Sequence, residues 1–512
     1  MNHESKILRS ITGVTCVMLV AKVLAMLRNI LQARVYGADA EIDAFTQAGN
    51  YSVALFTTVA YALCVAAIPI FSHRLLESRE ACCKAADRLI SNTLLLSFGL
   101  TAALLILGVS GRVEQWVGIA QQPELFRFCF LALVMSLPII TLTYLLLALF
   151  QSMGHFTLQG SLSLLYSVAL CGALVVFGKR MEVKTFVVLT SACWLLQLAM
   201  TFPLFKKEHY RFHFSLDLRQ KEYWMFLRTG AATVFNSALF LLCYLLNTRF
   251  AAGAEEGTIS AFFYANKLYE PLTTTLIYSV SIVLFPHFSQ QYEKMTHGAY
   301  REYVVGILKR TLVLVLPLSA LFAAFGTPVI QVLFQGGSFT LEDSLRCGGI
   351  FSLYCLGMAG FFLLDLLNKA YYAMGKTLVP MCVTAGILVL CGSLNALTVR
   401  FAPASPQLLA GGTSLGFLLG GLVLYGIFAH QGEGEKTSLP WKTLLWSGAL
   451  SLLLGLGAHG ICLHWIAGDG KLLLVGKCVI VGGIGVGLYL LALGPLGPAG
   501  TLLRKLRGRN EA

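Results

Sequence analysis

The sequence predicts an all-α polytopic membrane protein of about 14 transmembrane helices. They form two six-helix lobes related by an internal parallel repeat, plus two C-terminal helices. Three observations carry this reading: composition, recurring apolar runs, and similarity between two stretches of the chain.

Of 512 residues, 57% are hydrophobic and only 12% are charged, against about 25% charged in a soluble domain. Mean hydropathy is +0.74. A soluble chain of this length would need far more polar surface around its core. The polar start "MNHESKILRS" is short, and the apolar stretch after it is too long for a signal-peptide core. The first span is therefore expected to be retained. The 14 cysteines lie mostly inside apolar runs, where cysteine acts as a small hydrophobe. No CxxC or Cys/His spacing suggests a disulfide framework or a metal site.

Apolar runs long enough to cross a hydrocarbon core of about 30 Å fall near 8–34, 43–71, 87–109, 125–151, 156–178 and 183–205. After the polar stretch "KKEHYRFHFSLDLRQKE" (206–222) they resume near 223–250, 258–286, 303–333, 345–374, 377–399, 407–430, 441–466 and 472–494. An even number of spans puts both termini on one side. Lys and Arg concentrate in the loops of that side, notably 206–222 and the tail "RKLRGRN". This bias predicts cytoplasmic termini, against one dissenting outer loop with Lys179, Arg180 and Lys184. It also accounts for the net charge of +13 without a nucleic-acid partner.

Three short segments recur in order at a nearly constant offset. "ARVYGADAEIDAF" (33–45) resembles "TRFAAGAEEGTISAF" (248–262), "PIFSHR" (69–74) resembles "PHFSQQ" (286–291), and "FQSMGH" (150–155) resembles "YYAMGK" (371–376). The matches pair span 1 with 7, 2 with 8 and 4 with 10, so the halves share one orientation. The expected organisation is an N-lobe (1–205), a cytoplasmic linker (206–222), a C-lobe (223–430), and spans 13–14 with a basic tail (431–512). Two like bundles can enclose a cavity that opens to either side in turn, which argues for a transporter. A membrane-embedded transferase would need an acid, base or metal constellation that is not apparent. No "GxxxxGK[ST]" motif supports ATP hydrolysis, and no cofactor is expected.

A charge at the bilayer centre costs roughly 3 kcal/mol or more, so the few ionisable residues within spans mark a cavity. Lys22 lies about 21 Å beyond Leu8 along span 1, and Arg28 lies about 9 Å further, about 120° around the helix. Span 8 carries Lys267 and Glu270 on one face, followed by Pro271. An ion pair between these two is the simpler reading of them, and Arg28 could snorkel to the interface. Asp43, Asn247 and Arg249, in the repeat-related regions, are the candidate polar or gating residues with Glu270. Several cations in a membrane cavity favour an anionic substrate, phosphate or pyrophosphate above all.

"KVLAMLRNILQARVYGADAEIDAF", "FFYANKLYEPLTTTLIYSVSIVLFPHFS" and "LFQGGSFTLED" (333–343) resemble the MurJ/MviN family of the multidrug/oligosaccharidyl-lipid/polysaccharide exporter superfamily. The resemblance covers essentially the whole chain. It implies a flippase for lipid II, the undecaprenyl-pyrophosphate-linked peptidoglycan precursor, in the bacterial cytoplasmic membrane. By position, Arg28 matches a cavity cation thought to engage the pyrophosphate, and Asp43 matches an acidic cavity residue. Lys22 and Lys267 stand where the family usually has Arg, which keeps the charge and loses the bidentate fork. Span 2 departs further: 50–63 has no basic residue where the family usually has an Arg. A flippase for another polyprenyl-linked saccharide and a non-transporting cell-wall scaffold stay open as alternatives. The resemblance also implies membrane lipids and cell-wall synthesis proteins as partners, with coupling to membrane potential or a monovalent ion.

Overall fold

The structure, a computed structural model, describes residues 3–119, 121–219, 221–237, 239–403, 405–430, 441–465 and 470–493. The basic tail, and the stretch 431–440 that opens the last expected domain, lie outside the described residues. Every regular element among the described residues is helical. They fall into two compact units, Met1–Ser260 with Gly337–Phe339, and Ala261–Gly336 with Thr340–Ala512.

The first unit holds α1 (His3–Tyr36), α2 (Ala40–Gly49), α3 (Leu55–Glu77), α4 (Arg79–Val109), α5 (Arg112–Val117) and α6 (Pro123–Val134). It continues through α7 (Leu137–Ser152), α8 (Leu158–Phe177), α9 (Val183–Ala199), α10 (Phe202–Lys207), α11 (Lys221–Ser237) and α12 (Leu239–Ala251) to the first residues of α13 (Thr258–Thr273). The second unit holds the rest of α13, then α14 (Ser279–Lys294), α15 (His297–Ala324), α16 (Gly326–Leu333), α17 (Leu341–Leu356) and α18 (Met358–Ala373). It ends with α19 (Leu378–Phe401), α20 (Leu408–His430), α21 (Trp441–Trp465) and α22 (Lys471–Leu493).

Local chemistry sets the helix starts. Asp39 caps α2 by accepting from the Ile42 N–H at 3.0 Å. Ser78 alone separates α3 from α4 and caps the latter through the Ala81 N–H. Thr340 and Asp343 form a reciprocal capping box at the start of α17. Two π turns interrupt the long apolar helices, Asn50–Ala54 between α2 and α3 and Thr274–Tyr278 between α13 and α14. The second follows Pro271, whose missing N–H loosens the preceding ladder.

Among the described residues, ten segments are long and apolar enough to cross a bilayer, or eleven if α17 and α18, bent by 41°, form one span. The sequence-read spans 8–34, 223–250 and 258–286 each lie partly outside the described side chains. They carry Lys22 with Arg28, Arg228 with Arg249, and Lys267 with Glu270.

Small residues let the helices approach closely, as membrane helices require when lipid gives no hydrophobic drive between them. In the first unit, a Cβ on Gly160 of α8 would sit 2.9 Å from Val17 on α1, and one on Gly230 of α11 would sit 2.7 Å from Leu63 on α3. In the second unit, Gly412, Gly416 and Gly420 share one face of α20 and pack on α19. Gly360 of α18 meets the α20 backbone at Leu418, where a Cβ would lie 2.6 Å from the amide nitrogen.

The 206–222 segment does not hang free. Tyr210 is buried in a core with Phe71, Phe150 and Phe226, and its hydroxyl donates to Asp87 at 2.6 Å. Further along α4, Ser91 Oγ accepts from the Ser215 N–H at 3.1 Å, and the Asn92 amide makes both bonds to the Asp217 backbone, 2.8 and 3.0 Å. At the other end of the segment Glu208 bonds Arg79 and His155, the latter at 2.7 Å. The segment is a strap laid along α4.

Candidate functional site

On α1, Lys22 is exposed and has no hydrogen-bond or ion-pair partner among the described residues. Arg28 is half-buried. Its guanidinium lies 5.1 Å from the centre of the Tyr166 ring on α8 and donates to Asn29 at 3.1 Å. A cation resting on an aromatic face keeps its charge without an acidic partner. Arg28 thus points toward α8 of its own unit.

The next turn of chain uses a buried carboxylate. Asp43 on α2 is only 5% exposed. One of its oxygens accepts from the Gly257 N–H at 2.9 Å; the other accepts from the Ser260 N–H at 2.7 Å and the Ser260 hydroxyl at 2.6 Å. The carboxylate therefore caps the start of α13 from a distant helix, where unsatisfied N–H groups and the helix dipole favour a negative charge. Asp43 and Ser260 occupy the same position in the two copies of the repeated segment, so each repeat supplies one half of the contact.

The same face of α2 continues this pairing with α12. Gln47 donates to the Thr248 carbonyl at 3.2 Å, Asn50 to the Tyr244 hydroxyl at 3.3 Å, and Tyr51 to the Leu245 carbonyl at 3.1 Å. Asn247 is fully buried within α12. Arg249 is exposed at the end of α12, its guanidinium laid against Gly118, which has a φ of +81°. Any side chain on Gly118 would strike that guanidinium, and its left-handed backbone already favours glycine.

Two backbone corners complete this end of the unit. Ser338 donates its N–H to the Arg34 carbonyl at 2.8 Å and its hydroxyl to the Val35 carbonyl at 3.0 Å. Gly257 packs on the Ala38 carbonyl. The ends of α1 and α12, the starts of α2 and α13, and residues 337–339 therefore converge in one polar, tightly packed junction.

In the second unit, Lys267 donates to Glu270 at 3.3 Å and lies 5.7 Å from the Phe263 ring centre. The spacing of three residues does place them on one face, and they pair there. Both remain partly exposed, at 33% and 53%.

The family model for the lipid II flippase MurJ matches residues 32–474. The chain belongs to the MurJ lipid II flippase family. A curated MurJ lipid II flippase of Burkholderia cenocepacia is 23% identical over 477 residues, 90% of each chain. A probable lipid II flippase MurJ of Buchnera aphidicola from Schizaphis graminum is 22% identical, over 77% of this chain and 78% of that relative. Among solved structures, a lipid II flippase MurJ in an inward closed conformation superposes with a TM-score of 0.72 at 18% identity, over 94% of this chain and 99% of that one. An inward-facing multidrug-resistance transporter of the MATE family gives 0.62 at 15% identity, over 80% of this chain and 93% of that one. These matches place the chain among multi-pass membrane transporters of the MurJ type.

Within this MurJ-family chain, sequence reasoning singled out Asp43 and missed the residues that work beside it. Gln47 and Asn50 stand four and seven positions after Asp43, the spacing of one helix face. That polar stripe in an apolar run was the available signal. Ser260 and Ser338 gave none, because a lone serine near a helix start has many ordinary uses.

Proposed function

We propose that the chain carries lipid II across the bacterial cytoplasmic membrane by alternating access, with both termini in the cytoplasm. Lys22, Arg28 and Lys267 are proposed as the cations that meet the pyrophosphate, and Glu270 as the counter-ion that holds Lys267 between substrates. Asp43, Asn247 and Arg249 are proposed as gating groups at the junction of α2, α12 and α13. With cytoplasmic termini, that junction lies on the outer side. The lobes that alternate are proposed to follow the repeat, 1–205 and 223–430, joined by 206–222.

The observation that carries the reading is Lys22, exposed and unpaired among the described residues well inside the 34-residue helix α1. A lysine at that depth is tolerated where it lines water, and it then awaits an anion. No bond is made or broken in the transfer, so the proposed role is transport without catalysis or cofactor. The energy would come from the membrane potential, about 2.3 kcal/mol per charge per 100 mV, or from a monovalent ion. Cell-wall synthesis proteins are the proposed partners. One feature favours a second reading, another polyprenyl-linked saccharide as cargo: 50–63 contains no basic residue.

The test is replacement of a host's own lipid II flippase by this chain. Wild type should restore growth and lipid II translocation. Lys22→Ala, Arg28→Ala and Lys267→Ala, expressed to the same level, should each fail or grow poorly. Failure of well-expressed wild type would move the second reading to first place. Rescue by all three variants would remove the cations from the substrate site.

A further inference from the structure

A cavity of about 210 Å³ lies where the end of α3 meets the starts of α4 and α11. Arg74, Lys84, Arg88, Asn92, Glu222 and Tyr223 are among its lining residues. Arg74 is already engaged by Glu222 and, at 2.9 Å, by Glu77. Lys84 pairs with Glu80 at 2.7 Å, but both side chains are largely exposed, so water screens this pair and a stronger anion can displace it. Arg88 is exposed and has no partner among the described residues. The cavity therefore offers one free guanidinium and one exchangeable ammonium beside a buried tyrosine.

Its size and surroundings narrow the ligand. Drug-sized sites occupy about 300–1,000 Å³, so this cavity suits a headgroup and not a whole lipid or saccharide. Directly after Tyr223 on α11, Trp224 and Met225 are 60% and 59% exposed. The Trp224 indole donates to the Leu218 carbonyl at 3.0 Å, leaving its ring outward. Exposed tryptophan at the end of a membrane helix marks the level of the lipid headgroups, where basic pockets between helices take anionic ones.

We propose that this pocket binds a phosphate-bearing anion through Arg88 and Lys84, with the headgroup of an anionic phospholipid as its source. The ligand also touches the strap. Asn92, in the pocket wall, is the residue that clamps Asp217 by both amide atoms. Occupancy therefore fastens the 206–222 segment to α4 at the point where α11 begins.

The full-length protein, purified in detergent, is titrated with dioctanoyl phosphatidylglycerol, dioctanoyl phosphatidylcholine and inorganic phosphate, with binding and melting temperature as readouts. Phosphatidylglycerol should bind and stabilise, and phosphatidylcholine should bind far more weakly. Arg88→Gln should weaken phosphatidylglycerol about five-fold, and Arg88→Gln with Lys84→Gln about thirty-fold. Both side chains are exposed, so the melting temperature without ligand checks that the fold is intact. Equal stabilisation by inorganic phosphate, lost in Arg88→Gln, would support the site and name free phosphate as its source. Unchanged preference for phosphatidylglycerol in the double variant would overturn the proposal. None of these readouts depends on flipping, so they stand apart from the transport reading.

Discussion

At the scale of single residues, Asp43 shows how much one carboxylate can do. It accepts three hydrogen bonds from Gly257 and Ser260, and bonds to a charged group contribute about 1.5–3 kcal/mol each when buried. Asp43→Asn keeps the shape but turns one acceptor into a donor facing an N–H. It should open the junction, so that a thiol reagent reaches a cysteine placed at Ala38 faster than in an otherwise identical protein with Asp43. Ser260→Ala removes only the hydroxyl bond and should give a smaller change in the same direction. Glu208 makes a second prediction, outside the membrane. The His155 hydrogen bond first, and Arg79 second, hold its carboxyl below the usual carboxylate range. A depressed folded value means the contribution to stability is complete above the unfolded value and is lost as pH falls through the folded one. Proteolysis of the 206–222 strap should therefore quicken on acidification below about pH 4.5. Glu208→Gln should cleave faster at neutral pH and lose that acid step; the same acid profile in the variant would mean Glu208 does not fasten the strap. What sequence showed at this scale was charge. Lys267 and Glu270 were legible because three residues of helix bring them together, whereas Asp43 meets Ser260 across 217 residues, beyond any local pattern.

At the scale of elements, the apolar runs named most helices but not their joints. The boundary at Ser78 and the bend at Gly357 fall inside or between runs that composition alone reads as continuous. The 206–222 segment read as a charged linker, yet its backbone is paired to Ser91 and Asn92 of α4. Extended chain bonded to side chains has no period, so nothing in the sequence announced it. Glycine was ambiguous for a related reason, since a Gly-rich helix can be flexible or closely packed. The contact at Gly360 settles one case. A Cβ there would meet Leu418 and Phe417 backbone atoms at 2.6–2.8 Å, and a backbone cannot rotate away. Gly360→Ala should therefore cost about 1–3 kcal/mol, seen as a lower melting temperature in detergent. Gly386→Ala on α19, which has open space around it, should not lower it. Equal melting temperatures for the two variants would mean that the α18–α20 contact is looser than this.

At the scale of the whole molecule, the duplication explains why the junction in the first unit is built from corresponding pieces. The end of α1 and the end of α12 are copies of one another, and each leads into a helix whose start is tied to the other copy. Under the proposed alternating access, this junction is expected to break in every cycle. Three charge-assisted bonds, at about 1.5–3 kcal/mol each net of the water that replaces them, total about 4.5–9 kcal/mol. That total is of the same order as moving about two to four charges through 100 mV, at about 2.3 kcal/mol each. The junction can therefore hold the closed state and still yield to the proposed driving force. Ala38 and Gly257 provide the means to ask whether it does yield. A Cβ on Gly257 would lie 3.2 Å from that of Ala38, near the roughly 3.5–4.5 Å that a disulfide spans. With Ala38→Cys and Gly257→Cys together, oxidation should link α1's end to α13's start and stop lipid II translocation, and a reductant should restore it. Each single variant must fold and translocate under the same oxidant, because Gly257 has a φ of +79° that a side chain strains. A Cβ there would also strike the Ala38 carbonyl oxygen, so the Gly257→Cys backbone has to shift. If the doubly substituted protein is fully cross-linked and still translocates at the wild-type rate, the junction is a fixed support, and the moving parts lie elsewhere in the fold.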